Sequence, residues 1–350
     1  MVPGMVAARR SHGGAAACRS RPRQRRLVAV APLYCTTGPL QPVRYRFLGT
    51  ETCPRVEPVT QPGMEARAAA QIVSALTRAR PRPDVVEFDG VPSSSPWPRL
   101  IADHWPGRAV ATTTQSVAAP AATLAVDFEQ WLNGKSRNFR KQTRRHRRAL
   151  VERGASFRVA PADECDKALA DFERLHQERF RYRGGSGVLD TQVMKMLRES
   201  AASLAASGRF RLHLLEHKQR VIGAELVLAA GGEVTSWLGG FDERWAKVQP
   251  SIQGLVAAIE HAVADNDTRF DLGPGTQPYK LRLSDHAEQL IWSRIFMPGP
   301  RRPLTRIITV PGHVSRAAKQ KLFDVVPTAH KHQINGGCGH CAEVASADGR

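Results

Sequence analysis

The 350-residue chain lacks any run approaching the ~18 consecutive apolar residues that a membrane-crossing helix requires, so no span is expected. It also lacks the apolar segment of a secretory signal near its start. Cysteine is sparse and scattered: Cys18, Cys35, Cys53 and Cys165 stand apart, and only Cys338 and Cys341 are close. That usage fits a reducing, cytoplasmic compartment better than a disulfide framework. The one C-x-x-C, with His340 inside it, has no second ligand pair at zinc spacing, so no metal site is expected. No G-x-x-x-x-G-K-[ST] loop, H-E-x-x-H helix or G-x-S-x-G elbow occurs, which argues against a P-loop nucleotide hydrolase, a zincin protease and an α/β-hydrolase. Acidic residues are in deficit: 32 Asp and Glu face 51 Lys and Arg, and the net charge of +19 favours anionic partners.

What is present points to a globular protein. Hydrophobic residues make up 42% of the chain, enough for a sizeable core in about two domains. Residues 1–26 hold seven arginines, no acid and no apolar periodicity, and read as a disordered leader. From Leu27 the texture changes. LVAVAPLY (27–34), VRYRFLG (43–49), DVVEFDGV (84–91) and RAVATTTQSV (108–117) read as strands, with helices at 64–79 and 127–134. Ser136 caps a helix that Gly154 closes. A strand (156–160), two amphipathic helices (162–184 and 191–208) and three strands (209–217, 219–232 and 233–241) come next. A helix (251–266), a strand (269–272), a short helix (276–283) and a last strand (289–296) complete the pattern. Hairpins joined to a late strand–helix–strand crossover make a mixed, mostly antiparallel α+β sheet flanked by helices. Residues 298–350, with one helix near 313–324, read as a loosely ordered tail.

The most informative stretch is FDLGPGTQPYK (270–280). A buried strand carrying Asp271 ends in Gly273 and Gly275, with a phenol, Tyr279, and an ammonium, Lys280, just beyond. Three other stretches accompany it: SRNFRKQTRRHRRALVERG (136–154), LHQERFRYRGGSG (175–187) and VIGAELVLAAGGEVTSWLGGFDERWA (221–246). In order and spacing this set resembles the CelD/BcsL-type acetyltransferases of the GNAT superfamily, which are associated with polysaccharide biosynthesis and related to the FemABX peptidyltransferases. The resemblance covers 27–297. It implies tandem GNAT-like repeats, an incomplete one over 27–134 and a complete one over 135–297. The elements expected before Leu27 are missing and the Arg-rich leader stands in their place. The leader is therefore expected not to be native family sequence, and the first repeat to carry an open sheet edge.

The resemblance implies a specific chemistry. Strands 233–240 and 268–272 are expected to part, so that the pantetheine arm of an acyl-CoA enters between them and a backbone N–H polarises its thioester carbonyl. Gly239 and Gly240 are expected to allow that close approach. The donor pyrophosphate is expected at the start of the next helix, near Ser251, Ile252, Gln253 and Gly254. Gly273 and Gly275 turn the chain out of its strand, Tyr279 serves as general acid to the leaving thiolate, and Lys280 binds a phosphate. The candidate bases are Asp242, ranked first because it follows the splayed strand, then Glu225 and Asp271, with His176 as a further candidate. The Q/R-x-x-G-x-G/A signature of acetyl-CoA users is out of register in QPSIQGLVAA (249–258), where Gly254 alone serves. Aminoacyl-tRNA therefore stays open as a donor beside acetyl-CoA. The acceptor is an amine or hydroxyl of a sugar or peptide precursor.

Arg137, Arg140, Lys141, Arg144 and Arg148 recur at helical spacing, and Arg145 and Arg147 make that helix basic nearly all round. It reads either as a solvated connector or as a clamp for a polyanion. No aromatic interleaving accompanies it, so nucleic acid other than tRNA is not expected. Arg179 and Arg183 share a helix face with His176, and the resemblance places that face beside the acceptor cleft. Trp237, Phe241 and Trp245 read as core residues. No cysteine or serine stands in an activated context, so direct transfer is expected. The remaining alternative is a basic binding protein without catalysis.

Overall fold

Pro32 divides the first apolar run. The computed structural model describes residues 16–19, 27–50, 52–181 and 186–309, and in it LVAVAPLY is two strands rather than one. Proline has no N–H to donate to a ladder. Strand β1 (Ala16–Arg19) pairs antiparallel with β2 (Leu27–Ala31), whereas β3 (Leu33–Thr36) pairs with β4 (Arg44–Phe47) in a different, larger sheet. β5 (Val59–Thr60) completes a three-stranded sheet in the order β1-β2-β5. Part of the expected leader, Ala16–Arg19, is therefore strand, because the edge of β2 offers it backbone partners. The rest of 1–26 lies outside the described residues.

Helix α1 (Glu65–Arg78), strand β6 (Val85–Pro92) and helix α2 (Trp97–Asp103) build the first core. Strand alternation sorts the side chains. Tyr45, Phe47, Val86 and Phe88 share a core with Ile72, Leu76 and Ile101. On the opposite face Arg44 pairs with Glu87 and Arg46 with Asp89, both at 2.8 Å. β7 (Val110–Thr123) leads to α3 (Phe128–Asn133) and α4 (Arg137–Glu152), whose first turns are capped by the side chains of Asp127 and Ser136.

The second half runs β8 (Ala155–Val159), α5 (Cys165–Phe180), α6 (Thr191–Ala206), then the meander β9 (Phe210–His217), β10 (Arg220–Ala230) and β11 (Glu233–Phe241). α7 (Pro250–Ala264), β12 (Arg269–Asp271), α8 (Pro278–Leu283) and β13 (His286–Phe296) follow. The large sheet has the order β3-β4-β6-β13-β7-β12-β11-β10-β9-β8. The mixed α+β fold is the one expected. The position of its last strand is not: β13 lies between β6 and β7, antiparallel to both, pairing with β7 from His286↔Ala121 to Phe296↔Val110 through one register shift at Trp292/Ser293. Its Leu290, Ile295 and Phe296 are buried there. The step at 134/135 is thus a division of the sequence, and the two halves share one sheet.

Met1–Thr305 forms one compact unit and Arg306–Arg350 another, of which 306–309 are described. The tail helix expected near 313–324 and the Cys338/Cys341 pair lie outside the described residues. Among those described, no helix is long and apolar enough to cross a membrane.

Candidate active site

β11 and β12 run parallel and pair at three positions, Glu233↔Arg269, Val234↔Phe270 and Thr235↔Asp271. β11 then continues to Phe241, while β12 stops. Beyond Asp271 the chain keeps bonding to the β7 side: the Leu272 N–H donates to the Pro120 carbonyl at 3.0 Å and the Gly275 N–H to the Ala118 carbonyl at 2.8 Å. The two strands therefore part at Thr235 and Asp271. The FDLGPGTQPYK stretch holds this fork open. Asp271 Oδ1 accepts the Gly273 N–H at 2.6 Å, and Gly273 and Gly275 adopt φ of +74° and +105°, which glycine tolerates without a Cβ clash. Lys280 Nζ donates to the carbonyls of Gly273 and Pro274 at 3.2 and 2.7 Å, so this buried ammonium anchors the turn.

A cavity of 340 Å³ occupies the fork. Glu225 reaches it from β10, and its register partner on β11 is Gly239. A Cβ at Gly239 would lie 2.1 Å from Glu225 Oε2, so this glycine makes room for the carboxylate. Glu225 Oε1 accepts a hydrogen bond from the Ser236 hydroxyl at 2.8 Å. The residue is only 5% exposed. Burial pushes its pKa from the usual 4.5 to about 7, against the opposing pull of the Ser236 hydrogen bond, Arg179 and Lys280. Tyr279, on α8, lines the same cavity, and burial followed by the Glu225 charge pushes its phenol up to about 12. A carboxylate poised near neutrality and a phenol that keeps its proton thus share one space, as acid–base catalysis requires.

His176, on α5, also lines the cavity, but both its ring nitrogens are engaged. Burial keeps the imidazole below the usual histidine value, hence neutral. A carbonyl only accepts, so Nδ1–H donates to the Gly239 carbonyl (3.1 Å) and Nε2 accepts from the Ser186 hydroxyl (2.9 Å). His176 braces α5 against β11. Gly240 serves the same contact, since a Cβ there would stand 2.6 Å from the His176 backbone nitrogen.

Asp242 is not brought to the cavity. It accepts the Arg244 N–H as cap of the 3-10 turn Glu243–Val248, and its carboxylate pairs with the Arg244 guanidinium at 2.5 Å. The Arg244 hydrogen bond holds its pKa below the usual carboxylate range, which weakens it as a base. Asp271 does line the cavity, with Arg55 Nε on its Oδ2 at 2.5 Å. Ser251 lines it from the first turn of α7, where Gln249 takes a left-handed φ of 52° and Pro250 opens the helix. Ile252 packs against the core that α7 shares with β10, β11 and β12, Gln253 is buried, and a Cβ at Gly254 would stand 3.6 Å from Glu225 Cβ, an ordinary contact. Arg140 donates to the carbonyls of Asn133 and Lys135 at 2.8 and 2.7 Å, and Arg144 pairs with Glu129 at 2.7 Å, both away from the fork. Arg179 lines the cavity, and Arg183 lies outside the described residues.

One wall was invisible in the sequence. Thr52–Arg55, between β4 and β5, reaches the fork from the first half. Trp237 Nε1 donates to the Thr52 carbonyl at 2.8 Å, and Arg55 pairs with Asp271 and also with Glu288 at 2.6 Å. The Cys53 thiol lies beside them, raised by burial and then by Asp271 against the effect of Arg55, so it stays protonated. No periodicity in this loop points to partners so distant in the chain.

Residues 137–281, which include Glu225, Tyr279 and both strands of the fork, match the family model described as the acetyltransferase (GNAT) domain. That stretch is similar to a GNAT acetyltransferase domain. Around it, the fold is similar to the crystal structure of FemX, at 13% identity and a TM-score of 0.61, over 87% of this chain and 92% of that one. It is also similar to L-PGS from Bacillus licheniformis, at 10% identity and a TM-score of 0.52, over 81% and 85% of the two chains. These likenesses are ones of fold, and they extend well beyond the GNAT match into the first half. No curated protein matches the sequence.

Proposed function

We propose that the protein is an acyltransferase that moves an acetyl or other acyl group from acyl-CoA to an amine or hydroxyl, with Glu225 as general base and Tyr279 as general acid. The observation that carries this reading is the buried Glu225 carboxylate, with a pKa near 7, in the fork between β11 and β12. The fork offers a slender thioester arm a way to that carboxylate, and the first turn of α7 beside Ser251 suits the donor's phosphates. Glu225 takes a proton from the nucleophile as its nitrogen or oxygen bonds to the thioester carbon. The carbon–sulfur bond then breaks, and the thiolate takes the Tyr279 proton. Transfer is direct, a reading supported by the protonated state of the Cys53 thiol.

The GNAT domain match supports acyl-CoA as the donor. The resemblance to the CelD/BcsL type supports a sugar or peptide precursor as acceptor, in polysaccharide or cell-envelope synthesis in the cytoplasm. A second reading, aminoacyl-tRNA-dependent transfer of the FemABX type, is favoured by the fold likeness to FemX over 87% of the chain. Titration with acetyl-CoA, longer acyl-CoAs and aminoacyl-tRNA, followed by thermal shift and thiol release, separates the two. Saturable stabilisation by an acyl-CoA, with thiol release lost in Glu225→Gln, is expected. A response to aminoacyl-tRNA alone would transfer the site to the second reading. Salt-sensitive binding of any polyanion, without turnover, would remove catalysis altogether.

A further inference from the structure

Three basic side chains line the cavity in the fork, and their partners differ. Arg55 is neutralised by Asp271 and Glu288, at 2.5 and 2.6 Å. Lys280 is held by the carbonyls of the Gly273–Pro274 turn. Arg179 sits over two rings instead, with its guanidinium carbon 5.2 Å from the centroid of Phe241 and 5.8 Å from that of Phe180. Among the described residues it makes no ion pair with a carboxylate. Ring faces fix a guanidinium in place without occupying its N–H groups. Its five donors then remain in the planar fork that matches a carboxylate or a phosphate.

Arg179 also stands within electrostatic reach of the reacting groups. Its charge favours the ionised forms of both Glu225 and Tyr279. The cavity therefore presents a carboxylate suited to a nucleophile's proton and, within electrostatic reach of it, a guanidinium that no carboxylate among the described residues pairs with directly. The phosphates of a CoA donor lie a full pantetheine arm away from its thioester, so they are poorly placed to supply an anion beside the reacting carbonyl.

We propose that the acceptor carries an anionic group, a carboxylate or a phosphate, in addition to its nucleophilic amine or hydroxyl, and that Arg179 receives that anion while Glu225 faces the nucleophile. This deepens the acyltransfer reading above and rests on it. Arg179 is then the residue that selects among acceptors.

The test uses thiol release from acetyl-CoA with matched acceptors: glucosamine against glucosamine 6-phosphate, and L-alaninamide against L-alanine. The full-length protein, Arg179→Lys and Arg179→Met are compared, the methionine retaining a flexible apolar stem. A charge-assisted contact predicts a lower KM for the anionic member of one pair, by roughly ten- to a hundredfold. Which pair responds distinguishes phosphate from carboxylate. Arg179→Met should erase that preference by raising KM for the anionic member far more than for the neutral one, and be partly rescued in Arg179→Lys. A preference that survives in Arg179→Met overturns the proposal. So does an equal loss for both members with the same displacement of the pH profile, which would reduce Arg179 to tuning Glu225.

A second measurement does not depend on turnover. Inorganic phosphate should raise the melting temperature saturably in the wild type and in Arg148→Gln, an exposed change on α4, but not in Arg179→Met. Equal stabilisation of all three overturns the anion site. If no acceptor releases thiol while this pattern holds, the acyl-CoA reading fails and the anion site stands.

Discussion

Replacing Glu225 by glutamine should make the protein more stable and nearly inactive at once. The side chain is 5% exposed, and burial raises its pKa from 4.5 to about 7. Between those values the unfolded chain has released the proton that the folded chain still holds. Stability therefore falls as pH rises through the window, and the full penalty is present above pH 7. A rise from 4.5 to about 7 corresponds to roughly 3 kcal/mol at 1.36 kcal/mol per pH unit. Glutamine keeps the volume, can still accept the Ser236 hydroxyl, and cannot ionise. Glu225→Gln should thus match the wild type near pH 4 and exceed its stability at pH 8 by up to roughly 3 kcal/mol. Loss of the base should lower acyl transfer about 10²- to 10⁴-fold, and wild-type turnover should rise with pH through about 7. Urea unfolding at the two pH values, read by tryptophan fluorescence, and thiol release from acetyl-CoA check both halves. A variant no more stable at pH 8 than at pH 4, relative to wild type, would mean that the carboxylate carries no buried charge. Stabilisation with unchanged turnover would leave Glu225 a structural residue.

Tyr279→Phe should lower thiol release about a hundredfold with the melting temperature unchanged, and equal turnover would remove the phenol from the mechanism. Asp242→Ala should leave transfer near the wild-type rate while loss of its cap costs about 1 kcal/mol in urea unfolding; a collapse of activity would restore Asp242 as base. Arg55→Met strips the buried Asp271 carboxylate of its 2.5 Å partner and should cost about 3 kcal/mol, measured at pH 7. Gly240→Ala drives a Cβ against the His176 backbone, and should cost about 2 kcal/mol by the same measurement, with no loss expected if α5 can move freely.

Local pattern was enough for much of this protein. The alternation in RYRF and VVEFDGV separates an apolar face from an ionic one, and Asp127 and Ser136 start their helices because their side chains satisfy free N–H groups of the first turn. The glycines at 273 and 275 announced a sharp departure from a strand, and that departure opens the fork. These features depend on neighbours a few residues apart. The choice of base did not: Asp242 is nearer the fork along the chain, yet a turn and Arg244 claim it locally. Glu225 becomes the candidate because β9, β11 and α7 exclude water around it, with Gly239 giving the clearance. In the same way β13 enters the first half, and Arg55 reaches Asp271, through pairings between segments distant in the chain. Burial and long-range pairing belong to the packed sheet as a whole, so only the folded chain could decide which carboxylate titrates near neutrality.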